Sequence, residues 1–188
     1  GSGAMAPYAR EDKKLDFFEI DPVVERIARE QFTFLDRCGD QCEVQIGDAR
    51  NLIEEAEPHS FDIIFMDAYN SDSVPTHLLT RESMKLYLSK LADDGVILFN
   101  VSNRFLNVES VVGALAKDLG LVARTRPYLP SMTNKDPDLA YASSYTVVAR
   151  KEEHLRDIAG ADTWREAETA DVVWTDNFTN IVSVFEWN

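Results

Sequence analysis

The apolar positions of this chain come in short runs whose spacing alternates between that of a strand and that of a helix. Leu15 to Ile20 reads as a strand. Asp21-Pro22 then predicts a helix start, with Asp as N-cap and Pro at the first helical position. Val23, Val24, Ile27 and Ala28 give that helix an apolar face. Cys42 to Ile46 is a second strand by alternation, and Gly47-Asp48-Ala49 turns the chain into a short helix around Asn51 to Glu55. Phe61 to Met66 is the third strand; Ile63 to Met66 has the near-continuous hydrophobicity of a strand buried on both faces.

Thr80 is placed to cap a helix running to about Leu91, with Met84, Leu86, Tyr87, Leu88 and Leu91 as apolar positions. Asp94-Gly95 predicts a turn, and Val96 to Val101 another buried strand. Val108 to Leu119 is amphipathic and stops at Gly120. Leu121 to Thr125 and Tyr145 to Arg150 form a last strand pair around a polar, Pro-rich loop, Pro127 to Asp138, of the length that often covers a site. A helix is expected near Lys151 to Ile158, and Ile181 to Trp187 as a terminal strand or helix. This order predicts an α/β architecture, a doubly wound and mostly parallel sheet. Residues 1–188 are expected to be a single catalytic domain, with 151–188 as an extension packed on it.

Composition narrows the classes. At 188 residues the chain is long enough for one full core. No apolar run approaches the roughly 18 residues of a membrane span and no signal peptide is read, so the expectation is a cytoplasmic protein not embedded in a membrane. Cys38 and Cys42 have no histidine close in sequence, and a zinc site needs about four ligands, so both are read as structural and no metal is expected. The net charge of −14 argues against nucleic acid as partner. It is compatible with a small cationic substrate, though composition alone favours the plainer reading that it aids solubility.

The chemistry lies at the strand ends, where open α/β sheets place their ligand crevice. Glu19 and Asp21 close the first strand, Asp48 follows the second, Asp67 ends the third, and Asp72 stands five residues on. An acid at the end of a second strand is the usual partner of a ribose diol, and Asp48 after Gly47 is placed to accept from an adenine amino group. Each has a plainer alternative. Asp21 and Asp48 are also helix caps, Asp62 is a solvent-facing or turn residue, and Asp72 is also read as a solvated loop acid. Glu19 inside an apolar strand resists dismissal, because a buried carboxylate without a partner costs several kcal/mol. His77 is read as a surface or packing residue before a base. Asn100 and Asn103 line the pocket or serve as turn residues; Tyr69 stacks on adenine or closes the amine site.

Phe18-Glu19-Ile20-Asp21-Pro22, Gly47-Asp48-Ala49-Arg50 and Phe61-Asp62-Ile63-Ile64 with Asp67-Ala68 and Ser71-Asp72 together resemble the spermidine synthase-like family, which has the class I methyltransferase-type Rossmann fold. Val74 to Thr80, and Trp174-Thr175-Asp176-Asn177 with Asn180, resemble a subgroup often fused to membrane domains. The resemblance implies that Glu19 binds the ribose of decarboxylated S-adenosylmethionine or S-adenosylmethionine, that Asp48 with Ala49 binds adenine, and that Asp67 holds the aminopropyl amine. It further implies that Asp72 accepts a proton from the attacking amine and that Asp176 is a substrate-side acid.

The match fails in two places. The family's first strand and glycine-rich loop should precede Glu19, so the sheet is expected to lack that strand. Two readings are open: Gly1 and Gly3 are the end of that loop, with Gly3 touching the cofactor, or Gly1 to Met5 are a cloning scar. A missing central strand leaves unpaired backbone groups, so the chain rearranges, forms a homodimer across the gap, or is a fragment. Second, the family's Asp-x-x-Asp-Pro differs from Asp67 and Asp72, which have four residues between them and Ser73 in place of proline. Three functions remain: aminopropyl transfer to a di- or polyamine, S-adenosylmethionine-dependent methyl transfer, and a non-catalytic nucleoside-binding or assembly module.

Overall fold

A computed structural model describes residues 5–68, 74–127, 143–158 and 160–186. The chain divides into two compact units, Gly1–Ala56 and Glu57–Asn188.

The first unit is built on two parallel strands, β1 (Leu15–Glu19) and β2 (Cys42–Ile46), in register from Leu15 opposite Cys42 to Glu19 opposite Ile46. A parallel pair needs a crossover, supplied here by α1 (Pro22–Gln31) and α2 (Phe34–Cys38); α3 (Ala49–Glu55) follows β2. Asp21 caps α1 as expected: its side chain accepts from the Val23 amide at 2.8 Å, with Pro22 at the first helical position. The apolar face predicted for α1 is covered only at Ala28. Val23, Val24 and Ile27 are exposed. A disulfide joins Cys38 to Cys42. Sequence patterning missed α2, because its five residues are too short to display a helical period.

The second unit carries β3 (Phe61–Met66), α4 (Arg81–Lys90), β4 (Leu91–Asn100), α5 (Val108–Asp118), β5 (Val122–Arg126), β6 (Tyr145–Ala149) and the two-residue β7 (Arg165–Glu166). The sheet order is β3-β4-β6-β5-β7. β3 and β4 are parallel, and β6 is antiparallel to both β4 and β5. Thus β3, β4 and β5 run one way, and β6 alone among the long strands runs against them. Among the described residues β1 pairs only with β2, β3 only with β4, and no strand precedes β1.

β6 lies inside the sheet, and Val147, Val148 and Ala149 are all buried. Val147 and Ala149 pack with Leu155, Ile158 and Trp164 on one face. The alternation of the strand sends Val148 to the other, where α5 buries Val108, Val111, Val112 and Leu115. Thr125 and Thr146, opposite each other across β5 and β6, satisfy one another through a buried 2.7 Å hydroxyl hydrogen bond.

Asp94-Gly95 is not a turn between elements. It lies inside β4, at an irregularity where Phe61 opposes Leu91 and Ile63 opposes Val96. A Cβ on Gly95 would stand 2.8 Å from the Asp62 carbonyl oxygen, so only glycine fits this bulge. The Arg150 guanidinium donates to the carbonyls of Leu88, Leu91, Ala92 and Asp93, groups that neither α4 nor the irregular start of β4 can satisfy. α4 begins as predicted, with Thr80 and Ser83 in a reciprocal capping box. The helix expected over Lys151 to Ile158 is a 3-10 segment broken at Arg156, whose φ is 52°. Near the C-terminus Val182–Val184 forms a 3-10 turn and Phe185 bridges Leu106. Residues 128–138 of the Pro-rich loop, and Trp187, lie outside the described residues. Among the described residues no helix is long and apolar enough to cross a membrane.

The segment from β7 to Ala170 lies directly on α5. A Cβ on Gly113 would meet the Glu168 carbonyl oxygen at 1.9 Å. Asn107 donates to Glu168 at 2.9 Å, and Glu109 takes both the Glu168 amide and the Arg165 guanidinium. Gly113→Ala should therefore push this segment off the helix and cost about 1–3 kcal/mol, read as a lowered urea midpoint; an unchanged midpoint would show that the contact is dispensable. Arg81 and Asp118 tie the start of α4 to the end of α5 through two hydrogen bonds of 2.6 and 2.9 Å. The bonded guanidinium holds the Asp118 carboxyl below its ordinary range. A depressed folded-state pKa means stability present above the unfolded pKa and lost as pH falls through the folded one. Wild type should thus exceed Asp118→Asn in melting temperature at pH 7, and the gap should shrink as the pH drops below about 4.

Candidate functional site

In the first unit, Glu19 and Asp48 stand at the carboxyl ends of two adjacent parallel strands. Glu19 ends β1 opposite Ile46, and Asp48 follows Ile46 by two residues. The Gly47 amide donates to the Glu19 carbonyl at 2.9 Å, fastening the two strand ends together. Glu19 is half-buried rather than buried, and its Oε1 accepts from the Asp21 amide at 3.0 Å. The expected cost of a partnerless buried carboxylate therefore does not arise. Asp48 Oδ1 accepts from the amides of Arg50 and Asn51, so it caps α3, and Ala49 is the first residue of that helix.

In the second unit, Asp67 follows the last residue of β3 and Asn100 ends the neighbouring parallel β4. Asn100 donates through Nδ2 to Asp67 Oδ1 at 2.8 Å. Its orientation is fixed from the other side, because the Ser102 amide donates to Asn100 Oδ1 at 3.0 Å. Ser102 continues the chain of contacts: the Ser144 amide donates to its hydroxyl at 2.8 Å, just ahead of β6. The Asp67 carboxylate is exposed at the end of this relay. Sequence reading named Asn100 but missed Ser102 and Ser144; a polar Asn-x-Ser directly after a buried strand is the signal that marks the first of these.

The other predicted residues fall elsewhere. Asp176 accepts the Thr80 hydroxyl at 2.7 Å and its own amide donates to Glu82 at 2.9 Å, at the N-terminus of α4. Since α4 runs back from the end of β3 to the start of β4, that terminus lies toward the same end of the sheet as Asp67. Asn103 takes the amides of Phe105 and Leu106, which is turn chemistry. His77 is exposed on the 3-10 turn Thr76–Leu78. Gly3, Tyr69 and Asp72 lie outside the described residues. Among the described residues no group of three or more His, Cys, Asp or Glu is placed to hold a metal ion.

A family model described as the spermine/spermidine synthase domain matches residues 8–153. The chain belongs to this family. It is 36% identical over 91 residues to a polyamine aminopropyltransferase of Vibrio vulnificus (strain CMCP6), covering 47% of this chain and 30% of that protein. The chain thus spans about a third of the length of that curated relative. Among solved structures it resembles a probable spermidine synthase from Corynebacterium glutamicum, with TM-score 0.57, 17% identity, and 80% of this chain and 57% of that one covered. It also resembles a spermidine synthase in complex with the transition-state analogue AdoDATO, with TM-score 0.55, 17% identity, and 94% and 59% coverage. At such identities the likeness establishes the fold alone, the α/β methyltransferase-like Rossmann fold that the family resemblance implied.

The Asp67–Asn100 contact is measurable in this spermidine synthase-family domain without any assay of activity. A double-mutant cycle with Asp67→Ala and Asn100→Ala should give a coupling of about 0.5–1.5 kcal/mol in urea unfolding, at the low end because the pair is exposed. Additive effects would show that the pair does not interact in solution.

Proposed function

We propose that this chain carries out aminopropyl transfer from decarboxylated S-adenosylmethionine to a di- or polyamine. The observation that carries the reading is the exposed Asp67 carboxylate at the end of β3, held by Asn100 in a chain of net charge −14. Arg104, the cation following β4, is stacked over Phe105 at 5.5 Å. A carboxylate there attracts a donor whose arm ends in an ammonium and repels one whose arm also bears a carboxylate. A unit-charge pair at 4 Å is worth about 1 kcal/mol in water and about 4 kcal/mol near a protein surface.

The roles are those the family resemblance implies, and the chemistry of the transfer suits them. Glu19 takes the ribose hydroxyls and Asp48 with Ala49 takes the adenine; Asp67 holds the ammonium of the aminopropyl arm. The acceptor amine is protonated at neutral pH and must lose a proton before it attacks. Asp72 is assigned as the carboxylate that removes it, and Tyr69 as a residue beside the amine. The nitrogen lone pair then forms a bond to the methylene next to the sulfonium, the carbon–sulfur bond breaks, and its electrons neutralise the sulfur, releasing methylthioadenosine. Such a displacement needs chiefly alignment of nitrogen, carbon and sulfur.

Calorimetric titration tests the reading. The decarboxylated donor should bind about tenfold or more tightly than S-adenosylmethionine, a difference of roughly 1.4 kcal/mol or more, and Asp67→Asn should narrow the gap. Asp72→Asn should abolish turnover while sparing methylthioadenosine binding. Tighter binding of S-adenosylmethionine would shift the reading to methyl transfer; binding of none would leave a non-catalytic module.

A further inference from the structure

We propose that the Cys38–Cys42 disulfide is a thiol-exchange site, opened at Cys38 by a small thiol that carries carboxylates. The proposal does not depend on the transferase reading.

The bond joins the last residue of α2 to the first residue of β2, across Gly39, Asp40 and Gln41. Both cysteines are half-buried, so the sulfurs are not sealed in a core. A cavity of about 410 Å³ opens beside them, lined among others by Ala6, Arg10, Glu11, Arg37 and Cys38. Cys38 lines this cavity and Cys42 does not, so Cys38 is the half of the bond assigned as the point of entry. Among its lining residues the charged ones are Arg10, Arg37 and Glu11, two cations to one acid, with Asp36 on α2 and Asp40 in the loop between the cysteines as neighbouring acids. In a chain of net charge −14 the lining of this cavity is nevertheless net positive. A positive cavity concentrates an anionic thiol and favours its thiolate, the form that attacks.

The exchange runs in two steps. The thiolate attacks Cys38 Sγ, a new S–S bond forms there, and the Cys38–Cys42 bond breaks with its electron pair leaving on Cys42 as thiolate, which takes a proton from water. A second thiolate then attacks the mixed disulfide, leaving as the symmetric disulfide of the small thiol and freeing Cys38. Two small thiols are oxidised and one protein disulfide is reduced. Opening the bond removes the covalent tie between α2 and the start of β2, where Cys42 pairs with Leu15. Gly39, held at φ 54° between the two cysteines, is then free to relax.

The test uses the full chain and two probes, glutathione, which is anionic, and cysteamine, which is cationic, at matched thiolate concentration with acid quench. Peptide mass spectrometry should find the Cys38–Cys42 link in the untreated oxidised protein and the first adduct on Cys38. Glutathione should react about tenfold faster than cysteamine at low salt. That advantage should fall as salt is raised, and fall again in Arg37→Glu, an exposed position whose replacement leaves the core untouched. Two free thiols in the oxidised protein, first adducts on Cys42, or equal rates insensitive to salt would each overturn the proposal; the wild-type salt series decides even if the variant misfolds.

Discussion

The register between β3 and β4 is the constraint on which the second unit depends. A slip of one residue would exchange the faces of β3 and turn Ile64 and Met66 away from the core. It would also part Asp67 from Asn100. The register survives a mismatch in strand length, in which one step of β3 past Asp62 is matched by the longer excursion from Leu91 to Val96. Two residues make that mismatch tolerable. Gly95 lets the backbones touch where any side chain would collide with the Asp62 carbonyl. Arg150, at the far end of β6, collects four carbonyls that the irregularity and the helix end leave over.

From that register the site in the second unit is assembled by adjacency. Parallel strands deliver their carboxyl ends side by side, so Asp67 and Asn100 meet without any long-range search. The Ser102–Ser144 link then borrows rigidity from β6, which is buried on both faces. In the first unit the same logic acts on a smaller scale, where the Gly47–Glu19 backbone bond sets two acidic strand ends next to each other.

Much of this was legible because the signals were local. Phe61 to Met66 announces β3 by composition, and Asp21-Pro22 and Thr80 announce helix starts by cap chemistry; all three stand where the pattern put them. What the sequence hid is pairwise and distant. Asp94-Gly95 has the composition of a turn, and only the β3 partner reveals it as a bulge. β7 is two residues with no period of their own, defined by β5 beside them. Val23, Val24 and Ile27 have the spacing of a buried face, yet burial depends on what is packed against them. In the candidate site the acids were found by position along the chain. The α3 N-terminus was legible as a partner of Asp48, but the partners of Glu19 and Asp67 were not, because the Asp21 amide and the Asn100 side-chain amide reach those carboxylates only once the backbone is in place.

The clasp between Asp176 and Thr80 joins residues 96 positions apart, and that between Asp176 and Glu82 spans 94. Trp174, fully buried, accepts the Arg81 amide through its carbonyl in the same place. On the ribosome, the first turn of α4 is therefore made long before its partners exist. Closing a loop of that length carries an entropic penalty that grows only as the logarithm of its length, but the contact cannot form until Trp174 and Asp176 emerge. The start of α4 is accordingly latched by a segment made more than ninety residues later, and a stalled or clipped chain ending before Trp174 leaves that entrance open to quality control.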